Sequence, residues 1–144
     1  MAGPFLILLR KLLLIGNALT FLTIAAYALV ATDKAASVYG YTLVGLDGHN
    51  EFRAVYIGFW MGLSILFFTA ARRVEQPLLG DMGLMMVLLQ SCGRILSFVL
   101  DGIPTLPFVI IFFLEFGSSV IGLLIRPGRY LAAATLPTSD EARE

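Results

Sequence analysis

Apolar residues run in four long blocks along the chain, with polar residues confined to the gaps and to narrow stripes inside the blocks. The blocks cover residues 4–31, 52–71, 78–100 and 106–125. Each is near or above the ~20 residues that a helix needs to cross about 30 Å of hydrocarbon, so each predicts a transmembrane helix. The blocks end on residues that neither continue a helix nor enter lipid. Arg72-Arg73 closes the second, Asp101-Gly102-Ile103-Pro104 the third and Arg126-Pro127-Gly128-Arg129 the fourth. The predicted fold is all-α: a four-helix transmembrane bundle over residues 1–129, followed by a polar cytoplasmic tail over 130–144. Short turns at 72–77 and 101–104 predict antiparallel neighbours. Residues 32–50 predict a longer outer loop carrying Tyr39, Tyr41, His49 and three glycines.

The polar residues inside the blocks recur at helical spacing. Gln90, Arg94, Ser97 and Asp101 are separated by four, three and four residues, which is one face of the third helix. Arg53, Tyr56, Trp60 and Ser64 form a stripe on the second, and Glu115 and Ser119, with Ser118 beside them, on the fourth. Asn17, Thr20 and Tyr27 lie to one side of the first. Lipid does not solvate such faces, so all four are expected to turn inward around a polar interior.

At ~1.5 Å rise per residue, Glu115 lies about 15 Å below the outer end of its helix and Arg94 about 10 Å below Asp101. Left unpaired, each charge costs at least ~2.5–3.5 kcal/mol at a helix centre. An Arg94–Glu115 ion pair is therefore expected; Glu115 otherwise escapes the cost by staying protonated. Arg53 with Asp101 is the second expected pair, near the outer surface. Asn50 is expected to cap the second helix, with Glu51 in its first turn complementing the positive helix end. Gly58-x-x-x-Gly62, Gly93-x-x-x-Ser97 and Ser118-x-x-x-Gly122 permit close backbone approach, the first equally by internal packing or by dimerisation.

Composition narrows the chemistry. The chain is 58% hydrophobic and 14% charged, against ~45–50% and ~25% in soluble domains. Its net charge of zero offers nothing to nucleic acid. The single cysteine, Cys92, excludes an internal disulfide and a two-thiol relay, and is expected as a small packing residue. The single histidine, His49, excludes bis-histidine haem ligation and is expected in the loop. With no nucleophile–base pair and no metal-ligand set, neither an enzyme nor a cofactor is expected.

Basic residues orient the bundle. With a cytoplasmic N-terminus, Arg10, Lys11, Arg72, Arg73, Arg126, Arg129 and Arg143 lie inside, and only Lys34 and Arg53 outside. Both termini are then cytoplasmic. Ala26-Tyr27-Ala28 has the small-x-small form of a signal-peptide cleavage site. The apolar run before it is longer than a signal peptide's core, however, so an uncleaved helix is expected.

Two segments together resemble a known pattern: Asn50-Glu51-Phe52-Arg53-Ala54-Val55-Tyr56-Ile57-Gly58, and Gly93-Arg94-Ile95-Leu96-Ser97 continuing to Asp101-Gly102-Ile103-Pro104. They are similar to a bacterial family of small four-helix membrane proteins catalogued only as a domain of unknown function, over residues 10–125. The resemblance implies a four-helix bundle in the bacterial inner membrane. It implies no activity.

Three functions fit these readings. In the first, the polar interior near the outer face binds a lipid-like or small amphipathic molecule through Arg53, Tyr56, Gln90, Arg94, Ser97, Asp101 and Glu115. In the second, the bundle is an accessory subunit of a larger membrane complex, partnered by another membrane protein or by a second copy. The third, proton-coupled transport through Glu115, is weaker, since the motifs do not match those of small drug exporters.

Overall fold

In the computed structural model, which describes residues 4–127, the apolar blocks become four helices long and apolar enough to cross a membrane. The chain is a multi-pass membrane protein. Helix α1 spans Pro4–Val30 and is followed by a short α2, Thr32–Val38. Helix α3, Gly45–Arg53, runs without a break through a π-helical segment, Ala54–Phe59, into α4, Trp60–Arg72. These three form one rod. Helices α5, Pro77–Asp101, and α6, Leu106–Leu124, complete the set, with no strand among the described residues. Residues 128–144, including the expected tail, lie outside the described residues.

Local chemistry sets several of the boundaries. Proline in the first turn starts α5 and α6, where its missing N–H costs nothing. Helix α5 stops at Gly102, whose φ of +96° suits a residue without a Cβ.

The rod begins seven residues earlier than the hydropathy indicates, at Gly45 instead of residue 52. Residues 45–51 are polar or glycine apart from Leu46, which reads as loop, but a helix emerging into water needs no apolar face all round. Phe52 anchors the extension against Ala28, Ala35 and Ala36. Two expectations change as a result. Asn50 is not a cap: the cap position is Val44, no side chain bonds there, and Asn50 and Glu51 lie within α3. The expected loop over 32–50 is largely helical, leaving only residues 39–44 outside α2 and α3. His49 sits within α3, its Nε2 3.0 Å from Asp33 of α2 and its Nδ1 2.8 Å from the Gly45 carbonyl.

The core lies between α1 and the rod. Leu14, Ala18, Phe21 and Ala25, spaced four, three and four, meet Trp60, Leu63, Phe67 and Ala70 of α4, with Leu84 and Val87 added from α5. Phe21 stacks on Phe67 at 6.0 Å and meets Trp60 edge-on at 5.8 Å. Ser64 ties the rod to α1 by donating to the Ala18 carbonyl at 2.8 Å. Glycine permits the closest approaches to α5 and α6: a Cβ at Gly83 would stand 2.9 Å from the Phe67 ring, and one at Gly122 2.7 Å from Leu84. Gly58 and Gly62 behave differently. Both are exposed, and a Cβ at Gly62 meets nothing within 4 Å, so this motif packs no helix within the chain. Cys92, expected to pack inside, is exposed.

Helix α6 is the least embedded of the four, burying only Phe112, Ser119 and Gly122. It rests on α5 and touches α1 little. That uneven contact leaves room for the site.

Candidate functional site

The expected pair forms. Arg94 of α5 reaches Glu115 of α6 through two hydrogen bonds, Nε to Oε2 at 2.8 Å and Nη2 to Oε1 at 3.1 Å. Gln90, one turn before Arg94, donates to the same Oε1 at 3.1 Å. Both carboxylate oxygens are thus occupied, and pairing answers the cost of two isolated charges at this depth. The side chains remain 22% and 16% exposed.

The rest of the α5 stripe divides. Ser97 donates to Asp101 at 3.1 Å, and Arg53 makes no ion pair among the described residues. The expected Arg53–Asp101 pair is therefore absent. Both side chains are exposed, and hydration there removes most of the drive to pair.

Tyr56 enters an aromatic cluster. It stacks on Phe52 at 4.2 Å, lies 4.6 Å from Trp60 and 4.9 Å from Tyr39, and its hydroxyl lies 3.4 Å from that of Tyr41. The π segment lies within this series. Its i→i+5 pattern widens the helix locally between Phe52 and Trp60.

The sequence pattern assigns Tyr39 only to the outer loop. It follows α2 directly and turns into the bundle, packing near Tyr56, Trp60 and Phe108. Gly40, at φ +79°, makes the turn that lets Tyr39 and Tyr41 lie together. Burial pushes the Tyr39 phenol above its ordinary pKa, with Arg94 acting in the opposite sense, so it stands as a neutral O–H. A glycine between two tyrosines was the available signal.

Two cavities meet at these residues. The first, about 380 Å³, is a cleft between α1 and α6, with Leu12, Gly16, Asn17 and Thr20 on one wall and Ile111, Leu114, Glu115 and Ser118 on the other. Asn17 and Thr20 donate to the Leu13 and Gly16 carbonyls of their own helix, which leaves the cleft mostly apolar. Tyr27 does not line it. The second cavity, about 470 Å³, is a chamber between the rod and α5 that includes Tyr56, Phe59, Gln90, Gly93 and Ser97. Tyr39, Trp60 and Arg94 line both.

A second ion pair escaped the pattern altogether. Arg10, read as a flanking charge, is fully buried. It donates to Asp81 at 2.6 Å, to the Gly122 carbonyl at 2.6 Å and to the Pro77 carbonyl at 3.3 Å, joining α1, α5 and α6. Arg126 stands 3.7 Å from the other Asp81 oxygen. The available signal was Asp81 itself, an acid one turn into an apolar block.

The model of a domain of unknown function, DUF4345, matches residues 9–125. The chain belongs to that family. The matched span takes in both ion pairs and both cavities, so the site is part of the family's domain and not an appendage to it. No curated protein and no solved structure matches the chain.

Proposed function

We propose that the chain is a non-enzymatic binding bundle that accepts an amphipathic molecule from the bilayer. Its apolar part lies in the cleft between α1 and α6, and its polar end at Arg94 and Glu115. The observation that carries this reading is the placement of a charged pair at the inner wall of an apolar cleft whose two helices barely touch. The cleft falls within the ~300–1,000 Å³ of small-molecule sites, which are mostly apolar with a few placed polar groups. Intramembrane charges beside a cavity are expensive to keep and mark ligand paths. We place the bundle in the bacterial inner membrane with antiparallel helices and both termini cytoplasmic, following its basic-residue bias. Proton-coupled transport through Glu115 fits less well, because Arg94 and Gln90 already occupy both its oxygens.

Native mass spectrometry of protein released gently from its own membrane tests this. A discrete small-molecule mass excess, lost in Gly16→Leu, is expected. A clean protein mass, or one carrying other polypeptides, sinks the reading in favour of an accessory subunit.

A further inference from the structure

We propose that the headgroup is an oxyanion, a phosphate or carboxylate, held at the wall shared by cleft and chamber by Arg94, Tyr39 and Trp60. The inference rests on the binding reading above and specifies its ligand.

The wall is rich in donors without acceptors. A guanidinium carries five N–H groups in a fixed fork. Arg94 directs its Nε and Nη2 edge at Glu115, while Nη1 makes no hydrogen bond among the described residues. The edge formed by Nη1 and Nη2 is therefore open, and such an edge matches the two oxygens of a carboxylate or phosphate. The Tyr39 hydroxyl and the Trp60 indole N–H likewise have no hydrogen-bond partner among the described residues. Neither atom is among the fully buried unpartnered ones, which agrees with both residues lining the cavities. Three neighbouring side chains thus offer N–H or O–H groups at a depth where water is scarce and an unmet polar group is costly.

The carboxylates of the polar stripes are already engaged. No acidic side chain lines the chamber, where Arg94 is the one formal charge among the lining residues. Glu115 lines only the cleft, and its oxygens are already occupied. Arg53 lies one turn before Tyr56, lines neither cavity, and is exposed without an ion pair among the described residues. The nearest stripe carboxylate, Asp101, accepts from Ser97. An acceptor-rich anion meets the unfilled donors of Arg94, Tyr39 and Trp60; an ammonium headgroup, which only donates, would find the Glu115 and Asp101 oxygens already engaged. All three side chains also line the apolar cleft, which takes the chain of the molecule.

The test uses the full chain in delipidated detergent solution with three probes: 1-oleoyl lysophosphatidic acid, 1-oleoyl glycerol and inorganic phosphate. The first two differ only by the phosphate. Lysophosphatidic acid is expected to be retained about tenfold more tightly than oleoyl glycerol, as a charge-assisted fork contact implies. Tyr39→Phe keeps the ring and removes one donor, and is expected to reduce that preference about threefold with the melting temperature unchanged. Arg94→Gln is less informative, because it strands Glu115 in the membrane. Equal retention of both oleoyl probes, each lost in Gly16→Leu, overturns the oxyanion assignment and leaves the cleft reading standing. Retention of neither overturns both. Inorganic phosphate displacing lysophosphatidic acid at equal concentration shows a site for a free anion and overturns the amphiphile.

Discussion

The Arg10–Asp81 and Arg94–Glu115 pairs differ more in their surroundings than in their chemistry. Arg10 is fully buried and directs both terminal nitrogens to protein oxygens on α5 and α6. It lies against Gly80, where a Cβ would stand 2.9 Å from its Nη2 and 3.4 Å from Leu14. Its Nε and the Ser119 hydroxyl are the buried side-chain donors without a partner among the described residues. Arg94 directs one edge at Glu115 and lines two cavities, and a Cβ at the adjacent Gly93 would meet nothing within 4 Å. Removing one partner of a buried pair is far more costly than replacing both, so an ion pair by itself says little about its role. What separates the two is whether an unfilled donor faces a cavity: the Arg10 Nε is sealed in packed protein, whereas Arg94 lines both cavities. Arg10 joins three helices as a clamp, and Arg94 is the arginine to which the proposed ligand is assigned.

The largest effect expected is on the clamp. Arg10→Leu leaves Asp81 with only the longer Arg126 contact and removes the side-chain donor to the Gly122 and Pro77 carbonyls, and should cost about 3–5 kcal/mol. Thermal unfolding in detergent checks this, and survival with little change would mean that Arg10 is dispensable to packing. The adjacent glycines give the next contrast. Gly80→Ala drives a methyl into a guanidinium pinned from three sides and should cost about 1–3 kcal/mol. Gly93→Ala enters open space in a helix and should stabilise by about 1 kcal/mol. Equal costs at the two positions would erase the distinction between a packed and an open arginine.

Replacing both members of the open pair sharpens the comparison. Arg94→Leu with Glu115→Leu removes the charges together, and the fold should change by less than about 1 kcal/mol, because well-packed apolar residues substitute readily for a buried pair. Amphiphile retention should nevertheless be lost. A double variant that melts early yet still binds would invert the two roles.

These roles were unequally legible in the sequence. The Arg94–Glu115 contact followed from helical spacing and depth alone, since both residues sit mid-block where lipid forces a charge to find its opposite. Arg10 was hidden by its position: beside Lys11 and six residues after Pro4, it reads as a charge able to reach the membrane surface. Only the packing of α5 and α6 around it reveals that it cannot. The start of the rod was obscured for the opposite reason, because residues 45–51 lie where polar side chains carry no penalty and hydropathy therefore carries no information. Tyr39 depends on a tertiary turn at Gly40 that no periodicity records. Spacing within one helix was readable, whereas features set by a neighbouring element were not.

The smallest expected effect on stability is also the most discriminating for function. Gly16 sits mid-helix in α1 on the cleft wall, and a Cβ there meets nothing within 4 Å. Gly16→Leu gains helix propensity, by up to about 1 kcal/mol, and places its side chain in the space assigned to the ligand. The melting temperature should hold or rise slightly while retention of every amphiphile falls. Gly117→Leu on α6 is the matched control: its Cβ position is equally open, but it does not line the cleft, so binding should persist. Should Gly16→Leu instead destabilise the bundle by more than about 1 kcal/mol, α1 and α6 would close on each other in the membrane. The open pair would then be a second clamp, and the contrast with Arg10 would disappear.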